Sequence, residues 1–260
     1  MTYAVCSIFQ LRKEDPKVSS TYVIHPVVCG LNATDQGIMT YQRHYGTRIH
    51  IPIYMFYLEG ERKILVDTGL EDFMVDPAVE ESLGFKAEGF DDGLERLGVK
   101  PEEIEIIVHT HLHNDHCEND AACTNAKVYV QKRELDFCHD PHPLDHRYDA
   151  DYLEDSDIVT LEGDSEIVPG VRVVLTPGHT PGGQSVVIDT RDSGKVLLTG
   201  FCCNEKNFPD SGPAVCPGVH TDALVAWDSI QRVKQLKDSG EIDRIVPCHA
   251  HWPALEGRIG

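Results

Sequence analysis

The segment HTHLHNDH, residues 109–116, brings His111, His113, Asp115 and His116 together directly after an apolar run. Neutral imidazole and carboxylate are the usual ligands of a borderline divalent ion such as zinc. Side chains alternate along a strand, so His111 and His113 at a strand end can face the same way. The turn that follows can carry Asp115 and His116 to a second position beside them. One short motif can therefore feed two metal ions, and a loop of merely clustered histidines is the poorer reading of it.

Two later segments add ligands. In TPGHTPGGQS, residues 176–185, Pro and Gly flank His179, fix a tight turn and let the backbone approach closely. In PCHAHW, residues 247–252, His249 and His251 are both candidates, and the strand-end position favours His249. A fourth segment, LLTGFCCNEKNF at 197–208, runs from a strand into a turn that holds Phe201 and the adjacent thiols of Cys202 and Cys203.

These residues need elements to position them. Strands are expected at 51–58, 63–67, 104–109, 127–130, 171–175, 185–189, 195–199 and 242–247, with a turn at Glu59–Arg62. Helices are expected at 91–98, from 131 to 138, and at 221–238, the last with Leu224, Val225, Trp227, Ile230, Val233 and Leu236 at helical spacing. The histidine-rich, acidic stretch 139–157 reads as a surface loop or lid, with His139, His142 and His146 solvated. His44, His50 and His220 are candidate lining residues for a substrate pocket. Strand pairs followed by strand–helix alternation predict a mixed α/β layered fold. No repeat or Gly/Ser linker divides the 260 residues, so one domain over 1–260 is expected.

Composition narrows the partners. With 23 basic against 43 acidic residues the net charge is −20, which disfavours nucleic acid and anionic membrane. No apolar run approaches the roughly 18 residues of a membrane span, and MTYAVCSIFQLRKEDPK does not read as a signal peptide. A small molecule is the expected partner. The nine cysteines are expected as reduced thiols in the cytoplasm. Cys117 and Cys248, each next to a candidate ligand, are expected to point away from it, and Cys6, Cys29, Cys123, Cys138 and Cys216 show no metal spacing.

The order DTG (with Asp67), HTHLHNDH, GHTPG, LLTG and a late strand-end His resembles the metallo-β-lactamase superfamily over roughly residues 50–250. GHTPGGQS, LLTG and EKNF resemble its N-acyl-homoserine lactonase-like branch. The resemblance implies an αββα sandwich, two mixed β-sheets flanked by helices, with metals at one edge. It assigns His111, His113 and His179 to one ion, and Asp115, His116 and His249 to the other. It puts Asp67 beside the site, orienting a ligand. It implies one or two divalent ions, zinc first, with iron or manganese as alternatives.

The sequence departs from the branch at one place. There LLTG is followed by an Asp that bridges the metals and, three residues on, a Tyr that can contact substrate; here Phe201 and Asn204 stand instead. Three readings remain open. Cys202, or Cys203 in its place, supplies a thiolate; the bridge is lost and one metal binds weakly; or both cysteines are small core hydrophobes. The chemistry implied is hydrolysis of a lactone, ester or amide-type bond by hydroxide generated on the metal, with Asp115 handling the proton. The departure implies a substrate other than ordinary homoserine lactones. A glyoxalase II-like thioesterase, a flavodiiron-like redox protein and a catalytically silent binding module are the alternatives.

Overall fold

The computed structural model describes residues 20–71 and 75–260. Cys6 and the N-terminal segment weighed above lie outside the described residues. Six strands form the first sheet in sequential order: β1 (Val23–Asp35), β2 (Arg48–Glu59), β3 (Ile64–Val66), β4 (Ile106–Val108), β5 (Lys127–Gln131) and β6 (Asp157–Leu161). Its first two pairings are antiparallel and the rest parallel. The second sheet holds β7 (Ser165–Val168), β8 (Val171–Leu175), β9 (Gln184–Asp189), β10 (Lys195–Leu198) and β11 (Arg244–Val246) in reverse order. Only its β10–β11 pairing is parallel. Both sheets are mixed, as expected.

The alternation of side chains sorts each strand between two environments. Ile64 and Val66 of β3, with Val186 and Ile188 of β9 and Val196 and Leu198 of β10, share the core between the sheets. Leu65 and Ile107 turn to the opposite face and meet Phe90 and Leu94. Val187 and Leu197 likewise meet Ile230 and Val233. Among the described residues there are seven α-helices: α1 (Gln36–Met39), α2 (Pro77–Leu83), α3 (Phe90–Leu97), α4 (Asn114–Cys117), α5 (Lys132–His139), α6 (Ala223–Asp238) and α7 (Trp252–Glu256). With α3 on one outer face and α6 on the other, the layers run αββα.

Two differences from expectation have physical causes. The 13-residue β1 was not anticipated, because it contains Pro26 and Gly30. It is an edge strand, where a missing N–H is tolerated, and its register shifts between Val28 and Gly30. On α6, Leu224, Val225 and Trp227 were expected to join the apolar face, yet Leu224 is 79% exposed and Trp227 40% exposed. Only Ile230, Val233 and, partly, Leu236 from that periodic set reach the core.

Candidate metal centre

The parallel strands β3 and β4 end at the same edge, and the loops leaving them carry the candidate ligands. His111 and His113 follow β4, and His113, in extended backbone, caps the start of α4. That one-turn helix lifts Asp115 and His116 round to the neighbouring position. His179 comes from the β8–β9 loop and His249 from the turn after β11. All five histidines are buried.

Each imidazole has one nitrogen committed outward. His111 Nδ1 lies 3.0 Å from the Thr110 hydroxyl, whose own proton goes to Asp67 Oδ2 at 2.8 Å. His113 Nε2 faces Asp145 Oδ2 at 3.3 Å, and His179 Nδ1 faces the Val219 carbonyl at 2.8 Å. His116 Nδ1 faces Asp67 Oδ2 at 2.8 Å, and His249 Nδ1 faces the Pro52 carbonyl at 2.9 Å. An outer nitrogen that donates a proton leaves the inner one as a lone pair, the arrangement that fixes tautomer and orientation in metal-binding histidines. Among the described residues, the donor atoms of His111, His113 and His179 all lie within 4.8 Å of one another. Burial, with the positive fields of its neighbours, holds His111 and His179 well below the usual imidazole range, so both are neutral and competent to bind a cation.

Asp115, His116 and His249 flank this trio more loosely. The inner nitrogen of His116 is 3.8 Å from Asp115 Oδ2, and the His116 and His249 rings are 6.1 Å apart. Burial opposes ionisation of Asp115, but His116, His113 and His249 outweigh it and keep the carboxyl charged. Asp67 adopts φ 59°, an uncommon value for a non-glycine residue, and from there accepts hydrogen bonds from Thr110 N, the Thr110 hydroxyl and His116. His251 is turned aside, its Nε2 on the His50 carbonyl at 2.7 Å.

The cysteines separate by side. Cys203 packs with Phe201, Val174 and Leu197 in the core under α6. Cys202 turns the other way, next to Met39, Ile51 and Ile53, with its sulfur 3.8 Å from Met39 Sδ and within the electrostatic reach of Asp115. Cys248 departs from its expected position. Strand alternation would point it away from the site, but the chain after β11 is a turn. Its thiol lies 3.0 Å from the Phe201 carbonyl and interacts with the His249 side chain.

Several residues around the site escaped sequence reasoning. Glu134 of α5 is fully buried and accepts from Leu112 N at 3.1 Å, Tyr148 Oη at 2.8 Å and Gly182 N at 2.7 Å. It thereby ties the His111–His113 loop to the His179 loop. His109 sits between Asp120 at 2.7 Å and Asp67 at 3.5 Å. These two carboxylates overcome its burial and raise it to about 10. The stretch 139–157 is only partly the solvated loop expected. It inserts Tyr148 against His113 and Asp145 against both His113 and Arg147. His220, a pocket candidate from sequence, does line a cavity there, and so does His142.

A family model described as the metallo-beta-lactamase superfamily matches residues 50–249. An N-acyl homoserine lactonase of Bacillus cereus is 35% identical over 211 residues, covering 74% of this chain and 78% of that protein. A probable metallo-hydrolase of Methanocaldococcus jannaschii is 26% identical over 174 residues, covering 67% and 66%. Among solved structures, an N-acyl homoserine lactone hydrolase with the product N-hexanoyl-L-homoserine at its catalytic metal center superposes with a TM-score of 0.72. It is 29% identical and covers 90% of this chain and 94% of that one. A dizinc quorum-quenching lactonase, 19% identical, shares the fold with a TM-score of 0.66 over 91% and 92% of the two chains.

Proposed function

The chain belongs to the metallo-β-lactamase superfamily, and from that premise we propose that it is a metal-dependent hydrolase opening a lactone or cleaving a related ester bond of a small molecule. The observation that carries this reading is the set of five buried imidazoles, each with one nitrogen engaged, three of which (His111, His113 and His179) bring ligand atoms within 4.8 Å of one another. Purely structural histidines have no need of that uniform arrangement.

In this reading His111, His113 and His179 hold one ion and Asp115, His116 and His249 a second, with Cys202 as the thiolate completing it. Cys203, packed in the core, is the weaker candidate. Zinc suits this imidazole, carboxylate and thiolate set, with iron or manganese as alternatives. When bound, the ion supplies Lewis acidity toward a carbonyl oxygen and lowers the pKa of water. Asp115, ionised and beside both ligand groups, accepts a hydrogen bond from the attacking water, takes its proton at a carboxylate oxygen and returns it to the leaving alkoxide. Asp67 and Asp145 hold His116 and His113 in orientation. Tyr148 does not take over the role of the Tyr expected at position 204, because its hydroxyl is committed to Glu134.

Two of the relatives named above are an N-acyl homoserine lactonase and an N-acyl homoserine lactone hydrolase. With Phe201 and Asn204 at the two divergent positions, we propose a different lactone or ester for this chain. The eight described cysteines are all unpaired, which supports a reducing compartment such as the cytoplasm.

The test is chelation and reconstitution. Chelated protein loses hydrolysis of a panel of lactones, esters and thioesters, zinc, manganese or iron restores it, and His111→Ala abolishes it. Metal-loaded protein that cleaves nothing in the panel would leave a binding module as the better account.

A further inference from the structure

The wall formed by residues 137–147 does more than cover the site. A cavity of about 460 Å3 opens there, lined by Phe137, His142, Leu144, Asp145, Arg147 and His220 among others. It abuts the candidate ligands on two sides. Asp145 touches His113 at 3.3 Å, and Thr221, also in the lining, hydrogen-bonds through its backbone to the His179 carbonyl at 3.1 Å. The size suits the non-reacting part of a small substrate.

Its polarity is unusual for this protein. In a chain of net charge −20, Arg147 is the one Lys or Arg in the lining. Arg147 Nε and Nη2 bind Asp145 at 2.7 and 2.9 Å, and Nη1 has no protein partner among the described residues. Asp145 lines the same cavity and pairs with this guanidinium, but less of it is exposed there. Its oxygens are shared between Arg147 and His113, and its side chain is 7% exposed against 34% for Arg147. His142 accepts the Leu144 amide at Nδ1, so the neutral ring carries its proton on Nε2 and adds a second donor. Phe137 and Leu144 add apolar surface to the lining.

We propose that this cavity selects substrates bearing a carboxylate on the part remote from the scissile bond, gripped by Arg147 Nη1 and His142 Nε2. The inference rests on the hydrolase reading above and names the substrate class for that same site. A guanidinium held rigid by Asp145 loses little freedom on binding, and a charge-assisted hydrogen bond is roughly twice as strong as a neutral one.

The test compares two esters of equal length, one ending in a carboxylate and one in its primary amide, on metal-loaded wild type and Arg147→Gln. Wild type should favour the carboxylate ester by about tenfold or more in kcat/KM, expressed in KM. Arg147→Gln should erase the preference while keeping the wild-type metal content, and His142→Ala should reduce it. Equal use of both esters by wild type would overturn the proposal, as would an equal loss on both in Arg147→Gln. A binding arm separates its failure from that of the hydrolase reading. By calorimetry, adipate should bind wild type about tenfold tighter than hexanoate, and Arg147→Gln should bind the two alike. That arm decides the matter even if neither ester is cleaved, and equal binding by wild type overturns the proposal.

Discussion

Asp67 Oδ2 lies 2.8 Å from His116 Nδ1, and the same carboxylate accepts the Thr110 amide at 2.7 Å. One acid at the end of β3 thus orients a candidate ligand and pins the loop carrying two others. Burial works against its charge, but His116 and His109 lower it to about 2.

Asp67→Asn tests that role. Asn tolerates the left-handed backbone at this position, so the fold should persist. The lost charge should weaken metal binding about 10–100-fold, read by competition against a chelating dye. Unchanged affinity would make Asp67 a structural residue only.

The thiols near Phe201 are separable by metal content. Cys202→Ala should lower the ions bound per chain from two to one. Cys203→Ala should leave the count intact and instead cost stability through lost core packing, about 1 kcal/mol. If neither substitution changes the metal count, the thiolate reading of Cys202 fails. Cys248→Ala belongs in the same series, since its sulfur also faces this region.

Gly178 precedes His179 at φ 116°, and a Cβ there would come within 2.2 Å of the Ala226 amide nitrogen on α6. Gly178→Ala therefore combines backbone strain with a clash against immovable backbone. A loss of at least about 2 kcal/mol is expected in denaturant melts. Metal affinity should fall as well, because the loop that presents His179 must shift.

Buried thiols predict alkaline sensitivity. Burial, first among the causes, pushes Cys29, Cys123 and Cys138 each up to about 12. An unfolded thiol ionises near 8.5. Above that pH the unfolded state sheds protons that the folded state retains, so stability is complete below it and falls as pH rises toward 12. Urea midpoints measured across this range should decline, and Cys29→Ala should decline less steeply.

How much of this was legible before the fold was known depends on range. The HTHLHNDH cluster is local, and alternation after β4 with one helical turn at α4 brings its residues round together. The strand at 171–175 likewise matches β8 because its signal is a short β-branched run bounded by turns. Glu134 and Asp145 were not legible. Their partners on the histidine loops lie 22, 48 and 32 residues away, and nothing local marks them out among the 43 acids of the chain. Cys248 was misjudged because alternation was extended two residues beyond the end of β11 at Val246.

The buried carboxylate of Glu134 has a consequence for how such a site changes over time. By fastening the two histidine loops to each other from beneath, it makes the ligand platform independent of most of the wall above. Leu144, 86% exposed, and His142 can then vary without disturbing the platform, while Asp145, bonded to His113, cannot drift freely. In the proposed reading, chemistry and selectivity would reside in separately mutable stretches, so that substrate preference could be rewritten while the metal ligands are inherited intact.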